Sequence, residues 1–376
     1  MDMKTSQMVE DWKQIIAYGP RPIGSDNFKK CTDYVLSAMK KITDTAFKDV
    51  YPYDAWAVHD FNLEEVRKEG NRKLEAYVFL NSGASKGFTG KVKYAGHNRV
   101  WDMYVWDRYM VVDEKEKILA YVTVRGNGEA IPQMLFQGYS PDIPHFIVGM
   151  EEEEFFRNAE KNQVILTGFA DTFIQKDASC INVVGILPKT ASPKVVICGH
   201  CDTVYATQGA YDNSAGAAII LELGRKIQAE YDLNYEMELL VTDGEEFDLA
   251  GARRRCEATK DEDIRFVLNI DGVGREPVME VWSGPEEMER KIRGILEQNP
   301  EKFEKIYKCP PPPGSDHAPY FSRGIPVCML TFNDQGILHS PRDIYRESLI
   351  GNMETMVRIS LDLLEQLKII KKRKGE

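Results

Sequence analysis

The sequence predicts an α/β protein: a three-layer mixed, mostly parallel sheet with helices on both faces, carrying an inserted, mostly β domain. Three observations lead there. From Cys180 onward, apolar β-branched runs alternate with amphipathic helical stretches, the rhythm of a sheet covered on both faces. Between about Phe47 and Thr172 that rhythm gives way to short β-rich runs separated by Gly, Asn and Asp turns. The chain is also long, 376 residues, more than one average domain requires. The expected boundaries are 1–60 with 175–376 for the α/β part and 61–174 for the insertion.

Each element has its own signal. GPRPIGS is a turn, and Ser25 or Asp26 caps a helix whose stripe is Phe28, Cys31, Val35 and Met39. KVKYAG, DMYVWDRYMVVD and ILAYVTV are the β runs of the insertion, interrupted by one acidic helical stretch, EEEEFFRNAE. INVVGILP and KVVICGH have the character of buried strands. The segment YDNSAGAAIILELGRKIQAEY is a helix with small residues on its first turn and Ile219, Ile220, Leu223 and Ile227 to one side. Strand YEMELLVTD, a helix through ARRRCEA, and strands RFVLNID and VMEVW follow. Helix PEEMERKIRGILEQ, the loop CPPPPGSDHAPYFSRG and strand IPVCMLTF lead to a last helix with Leu349, Met353, Met356, Leu363, Leu364 and Leu367. The terminal KKRKGE reads as the solvated end of that helix, its cations suiting the dipole.

Composition narrows the function classes. There are 48 basic and 59 acidic side chains, a formal charge of −11. An acidic chain lacks the basic surface by which nucleic-acid binders displace counterions. No apolar run approaches membrane-spanning length, and the N-terminus has no apolar signal core. Seven cysteines, an odd and scattered set, point to a reduced, cytoplasmic compartment.

In open α/β sheets, sites form beyond the carboxyl ends of the strands. Those positions here hold His200 and Asp202, then Asp212 in the next loop, Glu245 and Glu246, Asp271, and finally His339 and Asp343. That is two of the chain's six histidines and six acids at one sheet edge. Carboxylates gathered this closely repel unless cations lie between them, so the pattern points to metal. Asp212, Glu246 and Asp271 with one hydroxide balance two divalent ions. Imidazole and carboxylate donors suit zinc, with cobalt or manganese as substitutes. Asp202, two residues past His200, fits the carboxylate that fixes a ligating imidazole. Glu245 and Glu246 point opposite ways in extended chain, so one can bind metal while the other faces substrate as a base.

The strings GHCDT, GAYDNSAG, TDGEEFDLAG, NIDGVG, GSDHAPYFSRGIP and LHSPRD, in this order and preceded by GPRPIGS, resemble metallopeptidase family twenty-eight. That family holds the bacterial leucine aminopeptidases and glutamate carboxypeptidase. The likeness covers about residues 10–50 and 180–367. It implies two zinc ions per chain, one on His200, Asp212 and Asp271 and the other on Asp212, Glu246 and His339, with Asp212 bridging. It implies Glu245 as general base and Asp202 as the partner of His200. It also implies a cis peptide at Asp212–Asn213. The insertion is similar to a protease-associated domain. The activity implied is metal-dependent exopeptidase, an aminopeptidase on short peptides, with carboxypeptidase or dipeptidase as alternatives on the same site. Partners then reduce to the peptide substrate, with no nucleic acid and no membrane, and a homo-oligomer is left open.

Some relatives carry a tyrosine before the SDH block that donates to the oxyanion. Here Pro310 to Gly314 stands in that stretch, leaving Tyr320 and Tyr345 as the nearby phenols. Asp316, His317 and Tyr320 are candidate substrate contacts. Two readings of other classes compete. Cys198-Gly199-His200-Cys201 has the spacing of a thiol-disulfide oxidoreductase, yet loop rather than helix follows it, which withholds the usual activation of the first thiol. A non-catalytic binding scaffold would have lost the ligand set, and a one-zinc glutaminyl cyclase departs from the Asp212-Asn213 pair; neither has happened here.

Overall fold

The computed structural model describes residues 6–100, 104–188, 193–259, 264–299 and 303–373. The chain divides into two compact units, Met1–Tyr53 with Ser179–Thr203 and Thr207–Glu376, and Asp54–Ala178 with Val204–Ala206. Strands Thr45–Glu65 and Ile165–Leu187 carry the chain between them.

In the first unit the fold is mixed α/β. The strand order is Glu304–Lys308, Val278–Gly284, Val327–Phe332, Ile264–Val273, Lys194–His200, Glu236–Thr242 and the end of Ile165–Leu187. The central pairings are parallel and the pairings of Val278–Gly284 with Val327–Phe332 and of Glu236–Thr242 with the last strand are antiparallel. His200 lies level with Thr242, and Cys198 with Asn269. Three strands therefore end together, and the loops that follow them open at one edge.

Side chains alternate across this sheet as strand geometry requires. Val195 and Ile197 enter the larger core and Val196 and Cys198 the smaller one on the opposite face. Helix Ala215–Glu230 lies in the larger core with Ala215 through Leu221, Leu223, Gly224 and Ile227 buried. Its small residues allow a close approach. A Cβ on Gly224 would stand 2.5 Å from Leu239 Cδ1 and 2.9 Å from Ile42 Cγ2, so any larger residue would force these side chains to shift. Helix Asp26–Met39 buries Phe28, Cys31, Val35 and Met39, and its Ser25 hydroxyl accepts from the Phe28 N–H. Such a cap contributes about 1 kcal/mol.

Two segments differ from expectation. The last helix stops at Gln366, and Ile370–Lys372 forms a strand antiparallel to Tyr231–Leu233. KKRKGE thus begins as an edge strand rather than a helix end, because Lys368 takes a left-handed turn at φ 59°; residues 374–376 lie outside the described residues. Glu304–Lys308 is a further edge strand, parallel to Val278–Gly284; its charged sequence EKIYK hides the pattern.

The second unit is mostly β. Its sheet runs from Ile165–Leu187 through Ser85–Val100, Tyr104–Val112, Ile118–Val124 and His145–Val148 to Ala76–Val78. Phe79, Val100, Trp106 and Ile147 form a core cluster, and one short helix, Glu153–Ala159, buries Phe156. Among the described residues no helix is long and apolar enough to cross a membrane.

Candidate metal centre

The centre is built from strand ends. His200 closes strand Lys194–His200 and is buried. Its Nε2 lies 3.0 Å from Asp212 Oδ1 and 3.2 Å from Asp271 Oδ1. Asp271 sits near the end of strand Ile264–Val273, where Ser315 Oγ donates to its Oδ2 and Asn269 Nδ2 donates to Ser315. Opposite, His339 Nε2 lies 3.4 Å from Asp212 Oδ2 and 3.0 Å from Glu246 Oε2. Asp212 thus turns one oxygen to each imidazole. Two sets of donor atoms, His200–Asp212–Asp271 and Asp212–Glu246–His339, each fall within 4.8 Å.

The loops that present these groups are held by buried hydrogen bonds. Asp202 receives His200 Nδ1, which lies 3.1 Å from its carbonyl and 3.5 Å from its carboxylate. The same carboxylate accepts from the N–H of Glu245 at 3.1 Å and of Glu246 at 3.3 Å. One side chain therefore sets the ring of His200 and the turn after strand Glu236–Thr242. Asp343 does the equivalent for the other loop, accepting from the N–H of Tyr211 and Asp212. The Asp212–Asn213 peptide is cis. Asn213 Oδ1 accepts from the N–H of Gly216 and Gly272, and a Cβ on Gly216 would stand 2.3 Å from that oxygen. Arg21, wholly buried, donates to the carbonyls of Ile15, Gly19, Cys201 and Gln208 and to Ser214 Oγ.

The electrostatics show what the cluster lacks. Burial opposes charge on His200 and His339, but the carboxylates around them push both imidazoles well up. Burial likewise opposes ionisation of Asp212, and the two imidazoles outweigh it, holding that carboxyl below the ordinary range. Glu245 and Glu246 are pushed up, by burial first and by neighbouring carboxylates next. Among the described residues, no lysine or arginine forms an ion pair with Asp212, Glu245, Glu246 or Asp271. Glu246 Oε1 is buried without a hydrogen-bond partner. Acceptor atoms about 3–3.5 Å apart are what neighbouring ligands of one tetrahedral ion present. The donor set, its spacing and the orphaned oxygen fit divalent metal.

The remaining candidates lie beside the centre or across the sheet from it. Asp316, His317 and Tyr320, the expected substrate contacts, are all buried. Asp316 Oδ2 accepts from Thr242 Oγ1 while Oδ1 is unpartnered, and burial raises its carboxyl to about 7. His317 Nε2 lies 2.9 Å from the Pro312 carbonyl and Nδ1 3.4 Å from Asn269 Nδ2, so its ring ties down the proline-rich loop. Tyr320 packs with Val184, Val196, Cys198 and Val327 on the other face of the sheet. Tyr345 packs against Trp12 with the rings tilted, centroids 4.8 Å apart. Cys198 and Cys201 point into separate cores, so the CxxC spacing does not make a redox pair. The roles of Arg21, Ser315 and Asp343 have only faint sequence signals: an arginine between two prolines, and polar residues inside the GSDH and LHSPRD strings.

Residues 182–364 match the model of Peptidase family M28. Among solved structures, a zinc aminopeptidase from Bacillus subtilis superposes with a TM-score of 0.73 at 17% identity, over 98% of this chain and 96% of that one. An aminopeptidase from Aneurinibacillus sp. strain AM-1 gives 0.70 at 17% identity, over 98% and 94%. A Peptidase M28 precursor from Shewanella amazonensis SB2B gives 0.73 at 15% identity, over 99% and 96%. These likenesses carry the fold. No curated protein sequence matches.

Proposed function

From a chain whose residues 182–364 form a Peptidase family M28 domain, we propose a metal-dependent aminopeptidase that hydrolyses the N-terminal bond of short peptides. The observation that supports this best is the pair of donor sets sharing Asp212. The similar fold of two bacterial aminopeptidases, one of them a zinc enzyme, favours the same activity and metal. In this reading His200, Asp212 and Asp271 hold one zinc ion and Asp212, Glu246 and His339 a second, with cobalt or manganese able to replace them.

Bound there, the metal would polarise the scissile carbonyl and acidify a water. The chain supplies the proton handling. Glu245 is the one acid of the cluster that keeps partial exposure, so its carboxylate can meet the substrate. It takes the proton from the attacking water and returns it to the leaving amine. Asp202 fixes the base by accepting from the Glu245 N–H. The phenols of Tyr320 and Tyr345 are both engaged in packing, and bound metal would supply positive charge to the oxyanion. The substrate is a free peptide in the cytoplasm.

The test is hydrolysis of a panel of aminoacyl and N-blocked dipeptide substrates, with metal content measured alongside. Free N-termini should be cleaved and blocked ones spared, with two zinc ions per chain. Cleavage of blocked peptides from the other end would replace the aminopeptidase with a carboxypeptidase. No turnover by metal-loaded protein would sink the reading.

A further inference from the structure

The CGHC string looks like a redox motif, but the fold pairs its second cysteine with a different partner. Cys201 Sγ lies 3.3 Å from Cys31 Sγ, across 170 residues of sequence, and both side chains are wholly buried. Cys31 is on the inward face of helix Asp26–Met39. Cys201 stands between His200 and Asp202. Its backbone is fixed on both sides, the N–H donating to the Thr242 carbonyl at 3.1 Å and the carbonyl accepting from Arg21 Nε at 3.0 Å. The thiol is therefore presented to the helix rather than left to wander.

We propose that Cys31 and Cys201 are a reversible disulfide pair, closed by hydrogen peroxide and reopened by thiols, that links the helix to the segment carrying His200 and Asp202. A disulfide spans about 2.0 Å between sulfurs, so closure draws the two together by roughly 1.3 Å from their contact distance. Cys201 attacks one peroxide oxygen, the O–O bond breaks, and a sulfenic acid forms as water leaves. Cys31 then attacks that sulfur, the S–O bond breaks, the S–S bond forms and a second water leaves. Each sulfur gives up one electron and the peroxide takes up both. Reduction by a dithiol runs through a mixed disulfide and restores both thiols. Complete burial keeps bulky reagents out, whereas peroxide is little larger than water.

Closure bears on the metal centre through covalent neighbours. A shift of Cys201 displaces His200 on one side. On the other it displaces Asp202, which accepts from the Glu245 and Glu246 N–H groups. Disturbing such supports costs about ten- to a hundredfold in activity or metal affinity.

The experiment uses the full chain carrying Cys309→Ser, because Cys309 is the exposed cysteine of the seven. Removing it leaves six thiols (7 − 1). Peroxide treatment should lower the titratable thiols of the unfolded protein to four (6 − 2). A peptide map without reductant should show the Cys31–Cys201 linkage, a readout independent of any activity. Peptidase turnover should fall about ten- to a hundredfold and return with dithiothreitol. Adding Cys31→Ser should remove the linkage and the reductant-reversible loss. The proposal is overturned if six thiols persist, or if the lost thiols map to other cysteines. It is equally overturned if the Cys31→Ser protein shows the same reversible loss. Should that variant not fold, the map of the Cys309→Ser protein decides alone.

Discussion

The two ends of one strand, Lys194–His200, show opposite solutions to buried acid. At its start, Glu238 is buried between Lys194 Nζ at 3.0 Å and Arg255, whose Nε and Nη2 donate to its two oxygens. Burial alone would raise that carboxyl, and the two cations hold it below the ordinary range. At its finish, His200 faces Asp212 and Asp271, and among the described residues the acids form ion pairs only with imidazoles. One end carries its counter-charges in the sequence. The other gathers carboxylates and imidazoles into the shape of a ligand set and leaves the positive charge to come from outside. Buried charge is tolerable only when compensated, so this difference separates a structural ion pair from a metal centre.

Four experiments would break or sharpen that contrast. The largest effect is expected from Glu245→Gln, which removes the proton carrier and leaves the donor sets intact. Turnover should fall about a hundred- to ten-thousandfold while bound metal is unchanged; normal turnover would remove Glu245 from the mechanism. Next is Glu238→Ala, which takes from Lys194 and Arg255 the buried carboxylate they share and leaves Arg255 with Asp49. Denaturant titration should show a loss of about 3–5 kcal/mol, and added zinc should not relieve it. A smaller and opposite pattern is expected for chelation. Stripping metal from the intact chain should cost about 3 kcal/mol relative to metal at a hundredfold its Kd, regained on adding zinc. A stability indifferent to metal would place the compensation of the acids inside the chain after all.

The last concerns a histidine buried without carboxylates. In the second unit His145 packs against the rings of Tyr121 and Tyr139, its Nε2 3.0 Å from the Ser140 carbonyl. Burial lowers its imidazole to about 4, against 6.5 for the free group. The folded form thus resists a proton that the unfolded chain accepts. The sign follows from linkage: this contribution is complete above pH 6.5 and is lost as the pH falls toward 4. The loss should amount to at most about 3 kcal/mol. His145→Gln should flatten the stability profile across that window, and an unchanged profile would refute the assignment.

Much of this could be read in the sequence. The alternation of apolar strands and amphipathic helices is a local property, and it located the sheet and the ends of its strands. Ser25 and the Phe28–Met39 stripe announced their helix for the same reason. His200, Asp212, Glu245, Glu246, Asp271 and His339 stood out because strand ends concentrate on one edge, and because acids so placed require a cation. Tyr320 lies across the sheet from them, on the short helix Ala318–Ser322, in the smaller core, a placement that no local pattern encodes.

What the sequence determined by itself were the elements and the kinds of chemistry at their ends, since propensity, periodicity and charge repulsion act over neighbouring residues. What only the tertiary structure decided were the partners. Asp343 on the N–H groups of Tyr211 and Asp212, Arg21 under Cys201, and Cys31 against Cys201 join residues more than a hundred positions apart. Those contacts exist because burying the faces of the helices against the sheet brings remote segments together, and no local pattern encodes which atoms will meet.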